Sequence, residues 1–219
     1  MRIIAGDGPG FAGEGGPARD ALFSQPPQTA LAPDGNLYVL DQRNQRVRKI
    51  DGESIITTVV GTGISGFGGD GGGPLDAQLR LPAGTNPLPA GSLTFDTKGR
   101  LYIADALNHR IRRVDFDRDL IETIAGNGDT AFSGDGGPAT NATFNNPRDL
   151  VFGPDGRLYI ADELNHRVRA IDLTTGLINT VAGNGNATFF GDGGLDFDAQ
   201  GMLYIADTYN HRIRRVTLP

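Results

Sequence analysis

The chain has no cysteine and no tryptophan in its 219 residues, and only two methionines and three histidines. Without cysteine there can be neither a disulfide framework nor a thiolate metal site. No apolar run approaches the roughly 18 residues that a helix needs to cross a bilayer, so no membrane partner is expected. The first residues, Met1-Arg2-Ile3-Ile4-Ala5-Gly6, lack the apolar stretch of a signal peptide. Localisation stays unknown, since a lack of cysteine suits any compartment. A basic excess is missing too: 20 Lys and Arg stand against 26 Asp and Glu, a formal charge of −6. A nucleic-acid surface needs the opposite balance, so no nucleic acid is expected as a partner.

Glycine is what the chain has in quantity. Its 33 residues are about twice the usual share of roughly 7 %. They recur at fixed places, which means tight turns rather than disorder. One sentence is written four times. Leu37-Tyr38-Val39-Leu40-Asp41-Gln42-Arg43-Asn44-Gln45-Arg46-Val47-Arg48 is the first copy, and the others begin at Leu101, Leu158 and Leu203. The copies start about 64, 57 and 45 residues apart, against roughly 40–45 for a WD-type propeller blade. The excess falls between copies, in Gly68 to Pro74, in Ser133 to Ala139 and in the Pro-rich stretch Leu81 to Ala90. The last connection, from Gly191-Asp192-Gly193-Gly194 into Leu195, is shortened.

Within one repeat the pattern is of short strands and turns. In the third, Asp149 to Phe152, Arg157 to Asp162, Arg167 to Asp172 and Leu177 to Ala182 read as four strands. Gly, Asn, Asp and Pro clusters separate them. No segment shows a sustained period of 3.6. The fold class is therefore all-β, a β-propeller of four-stranded antiparallel blades spanning 1–219 as one domain. The N-terminal Arg2 to Gly6 matches the fourth strands that end at Gly61, Gly126 and Gly183. The chain ends on the third strand Arg212 to Val216. Four blades result if the N-terminal strand closes the last one, which would bury an exposed edge.

The strings Asn108-His109-Arg110-Ile111, Asn165-His166-Arg167-Val168 and Asn210-His211-Arg212-Ile213, with the preceding Tyr-Ile-Ala-Asp, resemble the NHL repeat over essentially the whole chain. NHL propellers usually carry six blades, and this chain has motif copies for four. Two arrangements stay open: a four-bladed monomer, or part of a longer array that pairs with another copy as a homodimer. The resemblance also implies what an enzyme of this kind would need. NHL-type lyases hold metal with histidines in the central channel, whereas His109, His166 and His211 all belong to the repeat and are expected to order their turns. A gluconolactonase-like site would need Glu and Asn partners that no position supplies.

In an up-and-down blade, the turn between strands two and three shares a rim with the connection to the next blade. That rim gathers the acids Glu14, Asp70, Asp135 and Asp192 and, near them, Arg46, Arg110, Arg167 and Arg212. They read either as a ring for a cation or basic partner, or as carboxylates that pair with a neighbouring arginine and cap glycine turns. Repeated placement favours structure. On the first strands Leu31, Phe95, Phe152 and Phe197 are equivalent and read as packing between blades. Asp196 stands where other copies have Ala30, Thr94 and Val151, and Asp149 where they have Gln28, Ser92 and Gly194. These two acids break the repeat, and Asp196 is the candidate for a channel-facing acid.

No Ser-His-Asp order, EF-hand spacing or phosphate loop before a helix is present. No catalytic residue, metal ligand or cofactor is therefore assigned. The expected function is a non-catalytic scaffold that binds a protein or small ligand on one propeller face, with Glu14, Asp70, Asp135, Asp192 and Asp196 as rim candidates. The alternatives are a cation-dependent propeller lyase or lactonase-like hydrolase, or a structural or engineered propeller module without a ligand of its own.

Overall fold

The computed structural model describes residues 2–83, 90–186 and 194–218. Every blade is a meander of adjacent antiparallel strands. The first runs β3 (Gln28–Leu31), β4 (Leu37–Asp41), β5 (Arg46–Ile50) and β6 (Ile56–Val60), after the short parallel pair β1 (Gly8–Pro9) and β2 (Leu22–Phe23). The second is β7 (Leu93–Phe95), β8 (Leu101–Asp105), β9 (Arg110–Asp115) and β10 (Leu120–Ala125). The third is β11 (Pro147–Phe152), β12 (Leu158–Asp162), β13 (Arg167–Asp172) and β14 (Leu177–Ala182). The fourth has β15 (Leu195–Phe197), β16 (Leu203–Asp207) and β17 (Arg212–Val216). The chain is thus an all-β propeller of four antiparallel blades, and no α-helix occurs among the described residues.

The third blade agrees with the sequence expectation nearly strand for strand. The N-terminal strand does not. Arg2 to Ile4 carry no strand assignment, Ile3 and Ile4 are 67 % and 60 % exposed, and the last sheet has three strands among the described residues. The segment nonetheless enters the first connection as a fourth strand would. The amide of Gly6 donates to the carbonyl of Ala18, as that of Gly61 does to Pro74 and that of Gly126 to Ala139. At Gly126 no other residue fits: its φ is +91°, and a Cβ there would sit 2.3 Å from the carbonyl oxygen of His109.

The chain divides into two compact units, Met1–Tyr102 with Arg113–Glu122, and Ile103–Arg112 with Thr123–Pro219. In the first, Ala18, Ala21, Val39, Ile50 and Ile56 form a buried cluster against Phe23 and Leu37. In the second, Tyr159, Ala161, Val168, Leu195, Leu203 and Ile205 do the same. The alternation of strand side chains decides which residues these are: Val168 and Ala170 go inward on one face of β13, and Arg169 goes to the other.

The expected packing of first-strand aromatics between blades is present. Phe95 lies edge-on to Tyr38 at 4.7 Å between ring centroids, and Phe197 to Tyr159 at 4.9 Å. Offset edge-to-face pairs of this kind add about 0.5–1.5 kcal/mol beyond their burial. Leu31, the first-blade equivalent, is 69 % exposed instead.

Candidate functional site

Between the second and third strand of every blade the chain makes one 3₁₀ turn: Gln42–Asn44, Ala106–Asn108, Glu163–Asn165 and Thr208–Asn210. The residue that ends each turn, Gln45, His109, His166 or His211, has a left-handed backbone with φ of 53° or 54°. Its amide donates back to the first carbonyl of the turn. Histidine is among the residues enriched in that conformation. This is the main work of the repeated histidine. The His109 ring adds to it, its Nδ1 accepting the amide of Asn146 at 3.2 Å.

The carboxylate that opens each turn is the hub of the site. Asn44 donates to Asp41 at 2.8 Å, Asn108 to Asp105 at 2.8 Å, Asn165 to Asp162 at 2.9 Å and Asn210 to Asp207 at 2.7 Å. The arginine seven residues on completes the group. Arg48 stands 3.7 Å from Asp41, Arg112 3.3 Å from Asp105, Arg169 3.8 Å from Asp162 and Arg214 2.5 Å from Asp207. The first three arginines are fully buried.

Burial pushes the Asp162 carboxyl up to about 6, against the pull of the Asn145 amide, Asn165 and the arginines. Asp41 is raised for the same reason. The tyrosine of the second strand is tied as well in three blades: Tyr102 donates to Asp96, Tyr159 to Asp155 and Tyr204 to Asp198. Burial and then the Asp96 charge lift the Tyr102 phenol to about 12, so it is no base at neutral pH.

The rim acids go to these same arginines rather than to one another. Glu14 lies 3.4 Å from Arg48 and accepts the amide and hydroxyl of Thr58 at 2.6 and 2.8 Å. Asp135 takes Arg169 at 2.8 Å. Asp70 is exposed in the corresponding connection, and Asp192 lies outside the described residues. The partners are thus the second arginine of Arg-Val-Arg, not the first, which sequence reading had set beside the acids. Arg46, Arg110 and Arg167 instead donate to the carbonyls of Thr62, Asn127 and Asn184, at 2.7, 2.6 and 3.1 Å. Arg46 also stacks on Phe11 at 4.1 Å and Arg167 on Phe132 at 3.5 Å.

The two acids that break the repeat part company. Asp149 accepts the amide of Leu195 at 2.6 Å and so ties β11 to the next first strand. Gln28 does the same for Leu93. Asp196 is exposed, and its carboxylate turns back onto the amide of Phe197 at 2.8 Å. Among the described residues no three His, Asp or Glu come together in a way that could hold a metal ion.

Sequence reasoning missed the Asp-to-Arg pairing, although its signal was there: the same seven-residue spacing in all four copies. It also missed Gln42 and Gln45. Gln45 both donates to and accepts from the backbone of Leu81, at 3.0 and 2.7 Å, and Gln42 bonds Pro82 and Ala90. The two glutamines thereby pin the long connection where it enters and leaves. Glu163, buried in the third blade, takes Arg148 at 3.0 Å and also bonds Asn146.

While the polar groups of the turn point inward, its middle residue points out. Leu164 is 48 % and Tyr209 55 % exposed.

An NHL repeat profile matches residues 144–171. NHL repeat-containing protein 2 of Homo sapiens is 33 % identical over 172 residues, which cover 74 % of this chain and 22 % of that protein. The chain therefore spans about a fifth of that relative's length. Among solved structures, an auxiliary nutrient binding protein from Bacteroides ovatus has a TM-score of 0.65 at 17 % identity, over 91 % of this chain and 49 % of that one. Virginiamycin B lyase from Staphylococcus aureus gives 0.54 at 15 %, over 87 % and 55 %. A chain of the nidogen/laminin complex gives 0.58 at 19 %, over 86 % and 59 %. These three likenesses establish the shared fold, and the sequence relationship establishes the family: the chain belongs to the NHL-repeat family.

Proposed function

We propose that this chain is a non-catalytic binding scaffold that docks a protein on the rim formed by its 3₁₀ turns. The observation that carries this reading is the division of labour within each turn. Asp, Asn and Arg bond one another within each turn, and His ends it with a left-handed backbone. The middle position, Leu164 in one blade and Tyr209 in the next, offers apolar surface to solvent. An exposed tyrosine beside this apolar position suits a protein partner, because Tyr is among the anchors that carry most of the energy of such interfaces.

The test is selection of peptide or small-protein binders on the intact chain, followed by measurement on a Leu164→Glu, Tyr209→Glu double variant. Binders that lose about thirtyfold or more in affinity, roughly 2 kcal/mol, support the rim as the docking face. Binders indifferent to both substitutions place the interface elsewhere. A cation-dependent lyase or lactonase makes the opposite prediction in calorimetry: saturable binding of calcium or zinc at millimolar concentration would replace the scaffold reading.

A further inference from the structure

The end of the first blade that lies away from its 3₁₀ turn departs from the other copies. The turns between first and second strand begin at equivalent residues, Ala32, Asp96, Gly153 and Asp198, since each amide takes the carbonyl four residues on. In the second and last blades the aspartate at this place accepts the hydroxyl of Tyr102 or Tyr204. The third blade has glycine there and uses Asp155, two residues further on, for Tyr159. The first blade has alanine there. Its Asp34 matches Asp155, but the two oxygens take the amide and the side chain of Asn36 at 3.0 and 2.8 Å.

The Tyr38 hydroxyl is therefore left with no hydrogen-bond partner among the described residues. The residue is only 5 % exposed, its ring held edge-on by Phe95 and tilted against Phe116. It lines a groove of about 860 Å³ that lies entirely within the first compact unit. Burial, and then the Asp34 charge, push the phenol up to about 12, so at neutral pH it is a donor.

Lys49 stands directly opposite Tyr38 on β5 and lines the same groove. Its equivalent in the second blade, Arg113, pairs with Glu122 of the fourth strand at 2.5 Å. Lys49 has Thr57 opposite it instead, and no ion-pair partner among the described residues. Side chains directly opposite on neighbouring strands are in reach of each other. Two adjacent donors thus share a groove that lacks both carboxylates found at these places in the second blade. Val59 and Phe116 give it apolar wall. Lys98 and Arg100 also line it, and with Lys49 they balance the acids Asp34, Asp115 and Asp117. Such a balance suits a ligand with one negative charge better than one with two.

We propose that this groove binds a small monocarboxylate with an apolar body, whose oxygens accept from the Tyr38 hydroxyl and the Lys49 ammonium. Hydrogen bonds to an ionised acceptor are the stronger kind. Both walls belong to the first two blades, each of which has all four strands.

Fluorine NMR titration of para-fluorobenzoate into the whole chain tests the site. Saturable binding is expected, weakened about tenfold in Tyr38→Phe and about fivefold in Lys49→Met. The neutral para-fluorobenzamide should not saturate, and para-fluorophenyl phosphate should bind more weakly than the carboxylate. Tyr38→Phe should leave the melting temperature unchanged, because the hydroxyl has no partner in the fold, whereas Tyr102→Phe should lower it. Absence of saturation at millimolar carboxylate would overturn the proposal, as would equal binding of the amide or tighter binding of the phosphate. So would a drop in melting temperature for Tyr38→Phe as large as that for Tyr102→Phe, because the hydroxyl would then be spent inside the protein.

Discussion

The third and last blades carry the same motif, Leu-Tyr-Ile-Ala-Asp-x-x-Asn-His-Arg, and build the same turn from it. Asn165 and Asn210 bond their aspartates at 2.9 and 2.7 Å, and His166 and His211 adopt φ of 53° and 54°. What differs is everything around the turn. Arg169 is fully buried, whereas Arg214 is 36 % exposed. Val168 is at 0 % exposure and Ile213 at 73 %. The motif therefore makes a turn by itself, while burial comes from the fourth strand and from the next blade. Identical residues carry different energetic weight according to which neighbours cover them.

Removing the hub carboxylate should break this comparison most visibly. Asp162→Ala takes the acceptor away from the Asn145 amide and the Asn165 side chain, while Arg169 keeps Asp135 at 2.8 Å; leaving such buried donors unsatisfied costs about 1–3 kcal/mol each. Asp207→Ala should cost only about 1 kcal/mol, since water reaches the partly exposed Arg214. Chemical denaturation of the two variants measures both, and equal losses would show that the covering strand does not matter.

The pH dependence comes next. Asp162 titrates near 6 in the folded chain, above its ordinary value of 3.8. Between those values the folded state holds a proton that the unfolded state has released, so this group withdraws stability as pH rises from about 4 to about 6, on the order of 3 kcal/mol. Stability curves across that window should be flatter for Asp162→Asn than for the parent chain. An unchanged slope would mean that the carboxylate is not held up by burial.

The smallest effect concerns packing. Val168→Ala should cost about 1.5–2 kcal/mol from the lost methyl groups and the space left behind. Ile213→Ala should change stability by about 0.5 kcal/mol or less, because its side chain is already in solvent.

The rim shows the limit of reading by position. Placing Glu14 and Asp135 beside arginines was right in kind, but the guanidinium groups that take them are Arg48 and Arg169, which project from the opposite strand face to Val47 and Val168. Side-chain direction along a strand alternates, so a shift of one residue exchanges core for rim. Asp149 looked like a stray acid, yet it holds the amide of a residue 46 positions away. Nothing near it in the chain signals that bond.

The sequence by itself determined the all-β meander, the place of each turn and the role of the repeated histidine, because those rest on bonds between residues close together in the chain. Tertiary structure alone decided which of the repeated arginines is buried, which acids are neutralised, and how Gln42 and Gln45 hold the long connection. Those outcomes depend on strands brought together from distant parts of the chain. Their energies come from desolvation and pairing, and a repeat that looks alike in every copy carries no record of what covers it.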